Sequence, residues 1–230
     1  IERLTHQPLS FSVSETTEGV HIHIIDAELM GKGEKEKKDL YIEGVQNNGI
    51  INHYEYIINS EGTIEIRHVL KPEGKMPLWF PRIGLTLTVS DALDQVKWYG
   101  RGPQENYPDR KTGYPMGIYA STVQAMYEPY LMPQDYGLRT DVRWLQLTTD
   151  KGIGLQFKMN EWFNFNIYPY STDNLTKAMY TYQLQKQKGM TLNLDYATTG
   201  VGCTARGVFG AYKAMPQEYR RTISIRPMMK

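Results

Sequence analysis

The sequence has one cysteine, no long apolar run and almost no net charge. Cys203 cannot form a disulfide within the chain, and a single thiol cannot supply the roughly four ligands of a structural zinc site. No apolar run approaches the roughly 20 residues of a membrane-spanning helix, and the first residues lack the apolar stretch of a signal peptide. We therefore expect a soluble protein without a membrane partner, cytoplasmic or periplasmic, and the compartment stays open.

Several function classes are excluded by what the chain does not contain. Lys and Arg total 26 and Asp and Glu total 25, which gives a formal net charge of +1 and no positive excess for binding nucleic acid. Neither a G-x-G-x-x-G motif nor a Walker loop occurs, so nucleotide cofactors are not expected. A G-x-S-x-G nucleophile motif is also missing.

Alternation of apolar and polar residues dominates the chain and predicts β-strands. The predicted hairpins and strands are 11–24 with a turn at 17–19, hairpin turns at 47–49 and 60–62, 83–89, 144–157 with a turn at 150–152, 163–170 and 220–227. Only 171–180 predicts a helix, with Ser171 or Thr172 as its N-cap. A dozen or more strands and one short helix indicate an all-β fold of antiparallel strands. We predict a single β-sandwich domain over residues 1–230, built from two sheets.

Residues 99–117 differ from the rest of the chain because they contain four glycines and three prolines. Such a segment cannot be regular structure, and its aromatic and charged residues predict an ordered loop. The 17 tyrosines of the chain allow two interpretations. They are favoured strand residues, and tyrosine-rich β surfaces can also stack sugars; the first interpretation is preferred.

Side-chain chemistry leaves two candidate sites. His21 and His23 share one face of a strand and could bind a metal, but without further clustered ligands a polar strand face is preferred. Paired carboxylates could act in glycoside hydrolysis, where the separation of the two groups decides the mechanism. The acids at loops and strand ends are Glu105, Asp109, Asp135, Asp141 and Asp195. Each is expected instead to cap a turn or to pair with Arg101, Arg110, Arg139 or Arg143.

One long motif resembles a known family. The sequence WYGRGPQENYPDRKTG at 98–113 is similar to the signature of the C-terminal, small-chain domain of bacterial β-galactosidases of glycoside hydrolase family 2. The matching segments around it follow the family's order: 81–87, 127–144, 163–175 and 192–203. The resemblance covers residues 77–227 well and the first 76 residues by position and strand pattern.

The resemblance implies a β-supersandwich similar to galactose mutarotase and a division of labour within a larger enzyme. The two catalytic glutamates lie in a TIM barrel that this chain lacks, so no catalytic residue, metal or cofactor is assigned here; the parent enzymes use magnesium and sodium elsewhere. The domain is expected to contribute the active-site rim, contact with a galactoside and a subunit interface. Its expected partners are the remaining domains, a carbohydrate and further copies in a homo-oligomer. A start at Ile1 suggests a piece of a longer polypeptide, which alone would not hydrolyse galactosides.

The same resemblance implies the roles of particular residues. The candidates for substrate binding are Thr204, Arg206 and Phe209, in the run GVGCTARGVF. In this run Gly207 replaces the family's sugar-stacking Trp, and Phe209, Tyr212 or another subunit could substitute; Tyr180-Thr181-Tyr182 replaces a family His-x-His. The structural motif residues are Arg82, Glu105, Asn106, Tyr107, Asp109, Arg110 and Arg139.

Two interpretations of the E-N-Y-P-D-R segment remain open. Its side chains could point toward a ligand groove, or they could satisfy the loop's own backbone groups, with Arg82 and Arg139 as internal partners. The structural role is preferred. Two other functions also remain: a stand-alone carbohydrate-binding module, and a mutarotase-like aldose epimerase. An epimerase normally needs a histidine base, and no histidine follows residue 68.

Overall fold

The computed structural model describes residues 10–16, 19–25, 40–41, 49–203 and 207–228, and it describes side chains within 49–203 and 207–228. The described strands are β1 Ser10–Thr16, β2 Gly19–Ile25, β3 Leu40–Tyr41, β4 Gly49–Ile58, β5 Ile64–Glu73, β6 Arg82–Val89, β7 Gln95–Arg101, β8 Met116–Thr122, β9 Arg139–Thr148, β10 Gly154–Tyr168, β11 Met190–Thr198 and β12 Tyr219–Met228. The helix α1 is Thr172–Lys177, and short 3-10 helices cover Thr181–Gln183 and Gly210–Tyr212. The all-β, sandwich-like class with antiparallel strands and one short α-helix in the described residues is confirmed.

The described chain separates into two compact units. Unit 1 comprises the described residues up to Met76 together with Gln217–Ser224, and unit 2 comprises Pro77–Pro216 and the residues from Ile225. In unit 1 the strand order is β1-β2-β4-β5-β12, with β3 also on β4. The prediction of one domain over residues 1–230 stays a prediction.

Unit 2 is organised around the long strand β10. Its first part pairs with β9, which pairs with β7, which pairs with β8. Its last part, 164–168, pairs with β11, and β11 pairs with β6. The apolar residues of these strands alternate inward and form the core: Val96, Trp98, Leu145, Leu147, Phe157, Phe163, Phe165, Leu192 and Leu194 are all buried.

Hairpins that depend on local turn chemistry lie where the sequence predicts them. β1 and β2 pair antiparallel with Phe11 opposite Ile24, and β4 and β5 are joined at a turn where Gly62 has φ 77°. The hairpin of β9 and β10 turns at Gly152, with φ 79°. A positive φ favours glycine, which explains the positions of these turns. The turn predicted at 47–49 begins outside the described residues.

Two boundaries predicted from the sequence are wrong. The irregular segment is shorter than 99–117, because Tyr99–Arg101 end β7 and Met116–Gly117 begin β8, with Gly100 opposite Gly117. Cross-strand pairing tolerates these glycines, and the irregular part is Gly102–Pro115, called the motif loop below. Helix α1 ends at Lys177 and not at Tyr180. Its N-cap is Ser171, whose side chain accepts a hydrogen bond from Asn174 N–H.

None of the described helices is long and apolar enough to cross a membrane. Cys203 is exposed and is not part of a disulfide.

Candidate functional site

The motif loop starts from a fixed point in the core of unit 2. Trp98 is fully buried, its ring packs edge-on against Phe165 at 5.8 Å between centroids, and its Nε1–H donates to the Arg101 carbonyl at 3.0 Å. Gly102 follows, where a Cβ would lie 2.8 Å from the Tyr119 ring. Packing therefore accounts for Trp98 and Gly102 of the W-Y-G-R-G sequence, because the chain leaves β7 in close contact with the rings of Trp98 and Tyr119.

Glu105 lies inside the loop as a buried hydrogen-bond acceptor. Its carboxylate accepts from Gly137 N–H at 2.8 Å, from Tyr107 Oη–H at 3.1 Å and from Tyr130 Oη–H. Burial, followed by the neighbouring Glu105 charge, raises the pKa of Tyr107, so its phenol keeps the proton that it donates. Three donors hold this carboxylate, and it is committed to the loop.

Asn106 and Arg139 connect the loop to the start of β9. The Asn106 Oδ1 accepts from Thr140 N–H at 3.1 Å and from Thr140 Oγ1–H at 2.5 Å. Arg139 is buried and donates to the carbonyls of Pro103 at 3.1 Å and Gly137 at 2.8 Å. These contacts supply partners for backbone carbonyls outside the regular strands, one of them at buried Gly137.

Asp109 joins the motif loop to a second loop. Its carboxylate accepts from the backbone N–H groups of Val201 at 3.1 Å and Gly202 at 2.7 Å. Gly200 also lies against it, since a Cβ there would be 2.3 Å from Asp109 Cγ. The Arg110 side chain contacts the motif loop itself, with its guanidinium 6.0 Å from the centroid of the Tyr107 ring. Asp109 thus holds the beginning of the run that carries the predicted substrate-binding residues.

Arg82 corrects one expectation, because it does not serve the motif loop. It pairs with buried Asp195, with Nη2 at 2.7 Å from Oδ2, and reaches Asp135 Oδ1 at 3.3 Å and Asn166 Oδ1 at 3.2 Å. Burial raises the pKa of Asp195 to about 6, and the charge of Arg82 opposes this effect. The partner of Arg82 is therefore 113 positions away in the chain.

Asp141 connects Lys111 of the motif loop with Arg101, the residue that precedes the loop. It accepts from Arg101 Nε and from Lys111 Nζ, each at 2.6 Å. Burial raises the pKa of Asp141, but the hydrogen bonds and charges of Lys111 and Arg101 outweigh burial and lower it. Asp141 has φ 56°, in the left-handed region that Asp tolerates better than most residues.

The predicted substrate-binding residues are partly outside the described chain. Thr204 and Arg206 lie outside the described residues. Phe209 is described, directly precedes the 3-10 helix Gly210–Tyr212 and is 66% exposed. A Cβ at Gly207 would meet no atom of the described residues within 4 Å. Gly200 N–H donates to the Tyr212 carbonyl at 2.8 Å, which closes the run 200–212 at its base.

Exposed aromatic side chains lie beside this run. Phe80 N–H donates to the Ala214 carbonyl at 2.8 Å, and the Lys213 ammonium lies 5.5 Å from the Trp79 ring centroid. Trp79 is 39% exposed and Tyr212 is 40% exposed. Sequence reasoning did not identify Trp79 as a candidate for contact with a ligand. Its signal was a tryptophan in the proline-bearing segment before β6, outside the predicted strands.

Five of the 17 tyrosines form one packed cluster in unit 2. Tyr136 and Tyr168 are buried together, and Tyr127, Tyr130 and Tyr170 pack against them. At the family's His-x-His position, the exposed rings of Tyr180 and Tyr182 stack at 5.5 Å with an interplanar angle of 7°.

Sequence reasoning also missed Asn166 and Asn193. Both are buried in strands β10 and β11, and the Asn193 amide donates to Asn166 Oδ1 at 2.8 Å. Asparagine is disfavoured in strands, and the alternation FNFN in a buried strand was the signal for a polar network. No group of three or more His, Cys, Asp or Glu suited to a metal occurs within the described part of the chain.

Comparison with known proteins was made for the whole chain. The family described as the β-galactosidase small chain matches residues 9–225. A β-galactosidase of Priestia megaterium is 38% identical over 147 residues, which are 64% of this chain and 14% of that protein. β-Galactosidases of Vibrio cholerae (39% identity; 53% of this chain, 11% of that protein) and Pseudoalteromonas haloplanktis (34% identity; 64% and 14%) are also similar. The aligned part of the chain thus spans 11 to 14% of the length of these relatives.

Proposed function

The chain belongs to the β-galactosidase small-chain family, which matches residues 9–225, and we propose that it is the C-terminal domain of an enzyme that hydrolyses terminal β-D-galactosides. The reaction is taken from the similar proteins, each of which is named a β-galactosidase. The proposed partners are the remaining domains of the parent enzyme, further copies of it and a galactoside. No metal or cofactor is assigned to this chain.

The division of labour rests on the carboxylates of unit 2. Glycoside hydrolysis needs an acid and a second carboxylate with access to the sugar. Glu105 is held by three donors, and Asp195 is buried against Arg82. These acids are engaged in holding the fold. We therefore assign the catalytic pair to the rest of the parent enzyme.

The contribution of this domain is a positioned loop at the rim of the active site. The observation that carries this proposal is the double acceptance by Asp109 of Val201 N–H and Gly202 N–H. The motif loop is itself fixed by Glu105, Asn106 and Arg139, so it provides a rigid support for the run that follows Gly202. Fixing a contact loop in its bound geometry reduces the entropy cost of substrate binding.

The test is Asp109→Asn in the parent enzyme. The variant replaces one of the two acceptor oxygens with an N–H donor, so the start of the 200–209 run is released. We expect the KM for nitrophenyl galactoside to rise about tenfold, which corresponds to about 1.4 kcal/mol of binding, with a smaller change in kcat. The matched control is Asp173→Asn, because Asp173 lies in α1, where it forms an exposed ion pair with Lys177. If both variants change KM equally, the rim proposal is wrong.

A stand-alone carbohydrate-binding module is the second candidate, favoured by the exposure of Phe209, Tyr212 and Trp79. Such rings stack on sugars. Calorimetric titration of the chain with galactose and lactose separates the two functions, because a module binds by itself with a Kd near millimolar, about −4 kcal/mol. A heat of binding that disappears in Phe209→Ala would favour the carbohydrate-binding module. Absence of a heat of binding for the natural chain would favour the role at the active-site rim.

A further inference from the structure

Strand β8 forms an open edge of the sheet in unit 2. Among the described strands it pairs only with β7. An edge strand presents unpaired backbone N–H and C=O groups, and soluble proteins usually protect such an edge with charges, proline or a bulge. The sequence of β8, MGIYAST, contains no charge and no proline, and its pairing with β7 is regular over all seven residues. Among the described residues, β8 therefore has none of these three protections.

An apolar row leads across the sheet to this edge. Ile118 on β8 lies opposite Tyr99 on β7, and Tyr99 lies opposite Trp144 on β9. The rings of Tyr99 and Trp144 are 6.5 Å apart between centroids. Ile118 is 62% exposed and Tyr99 is 38% exposed. The row is thus continuous within the sheet and stops, exposed, at the open strand.

We propose that β8 is the contact strand of a symmetric dimer, in which β8 of a second copy pairs with it antiparallel about a two-fold axis at Ile118. In this register Ile118 faces its own copy and Met116 faces Ala120. Residues paired across antiparallel strands share a face, so the rows Trp144–Tyr99–Ile118 of the two copies join into one. This proposal specifies which strand makes the contact between copies that the proposed function includes, and it rests on that part of the proposed function alone.

The choice of a second copy follows from symmetry and charge. A two-fold contact places each central residue beside its own copy, so any charge there would meet a like charge. β8 has none, and the nearest charged residues of the pairing strand, Lys97 and Arg101, lie one strand back, opposite Ala120 and Met116. The regular, uncharged edge is complementary to itself.

Cysteine cross-linking tests the register. The background is Cys203→Ser, which removes the single native thiol. Ile118→Cys in this background places two thiols opposite each other, where Cβ atoms are about 4.5–5.5 Å apart. Pairing raises the local thiol concentration toward millimolar, so at micromolar protein we expect disulfide-linked dimer about tenfold or more faster than for Ile153→Cys. Ile153 is a matched control, 52% exposed in another hairpin.

Met116→Cys is the register control. The proposed axis places the two copies of residue 116 about 13 Å apart along the strands, beyond the reach of a disulfide. We expect no accelerated cross-link from Met116→Cys alone, and a cross-link when Ala120→Cys is added. Accelerated linkage by Met116→Cys alone, or no acceleration by Ile118→Cys, overturns the proposal. The latter result would indicate that another partner, or none, occupies the edge.

Analytical ultracentrifugation of the 230-residue chain gives an independent measurement. We expect a dimer for the natural chain and for Ile153→Lys, and a monomer for Ile118→Lys, which places two ammonium groups at the axis. A monomeric natural chain, or a dimer that persists in Ile118→Lys, contradicts the proposal. Circular dichroism checks folding, and if Ile118→Lys is unfolded the cross-linking result decides. None of these measurements uses a galactoside, so a failed test of the active-site rim proposal would not change their results.

Discussion

At the residue scale, buried polar side chains explain how an irregular loop can be ordered. Each backbone carbonyl that a strand would have paired must find another partner. Arg139 supplies two such donors, to Pro103 and Gly137, and Asn106 supplies acceptors to Thr140. The guanidinium has donors in a fixed planar arrangement, so one side chain can satisfy two carbonyls that point in different directions.

Arg139→Ala is therefore expected to reduce stability more than sugar binding. The change removes the donor to the Pro103 carbonyl and to the carbonyl of buried Gly137, and it opens space beside Trp98, so we expect the free energy of unfolding to fall by about 2–4 kcal/mol. Urea unfolding measures it. Arg67→Ala is the control, because the ion pairs that the described residues show for Arg67 are exposed, so this change should reduce stability much less than Arg139→Ala. Unchanged stability together with lost sugar binding would assign Arg139 to the ligand.

His68 predicts a pH dependence of stability. Its ring is 1% exposed, lies 3.0 Å from Asn52 Oδ1 and stacks on Tyr54 at 4.1 Å. Burial, with a smaller effect of His53, lowers its pKa to about 4. Between pH 6.5 and 4 the unfolded chain takes up a proton that the folded chain does not, so stability falls as the pH falls through this window, by up to about 3 kcal/mol.

The measurement for His68 compares urea unfolding of the natural chain and of His68→Gln at pH 7, 6, 5 and 4.5. Other titrating groups act in both proteins, so their difference isolates this ring. We expect the stability of the natural chain to decline more steeply with falling pH than that of the variant. Parallel curves would contradict the assignment of a buried neutral histidine.

At the element scale, the sequence predicts what is local and misses what is distant. The hairpins turning at Gly62 and Gly152 were predictable, because turn residues and alternating strands are adjacent in the chain. The ends of the motif loop were misplaced, because glycine content favoured a loop where cross-strand pairing extends β7 and β8. The contacts of Asp109 with 201–202 and of Arg82 with Asp195 span 92 to 113 positions. Nothing in local spacing indicates which distant partner such a side chain meets.

The pairing of β6 with β11 depends on Gly84. A Cβ at Gly84 would lie 2.3 Å from the Leu194 carbonyl oxygen and 2.5 Å from Asp195 Cα. Backbone atoms cannot move aside without breaking the ladder, so Gly84→Ala should cost about 3 kcal/mol of unfolding free energy. Gly113→Ala is the matched control, since its Cβ would meet no atom within 4 Å. Equal melting temperatures for the two variants would show that the strands can separate locally without cost.

At the scale of the whole molecule, the chain corresponds to a small part of the β-galactosidases that it resembles. It matches the small-chain family over 9–225, while the relatives are seven to nine times longer than the aligned part. The fold class and the family were accessible from the sequence, because strand alternation and a long motif are both continuous in it. The candidate site was accessible only in part, because the aromatic residues that surround 200–212 come from separate segments, such as Trp79 before β6.

The chain alone is therefore expected to show no turnover of nitrophenyl galactoside. The acids of unit 2 that are placed near the loops have donors already: Glu105 has three, and Asp109 accepts from two backbone N–H groups. Neither is available to protonate a leaving group, which retaining and inverting mechanisms both require. The measurement is nitrophenol release by the purified chain beside an equally treated preparation of Glu105→Gln. Turnover by the natural chain that Glu105→Gln abolishes, in a folded variant, would place catalysis in this chain and refute the division of labour.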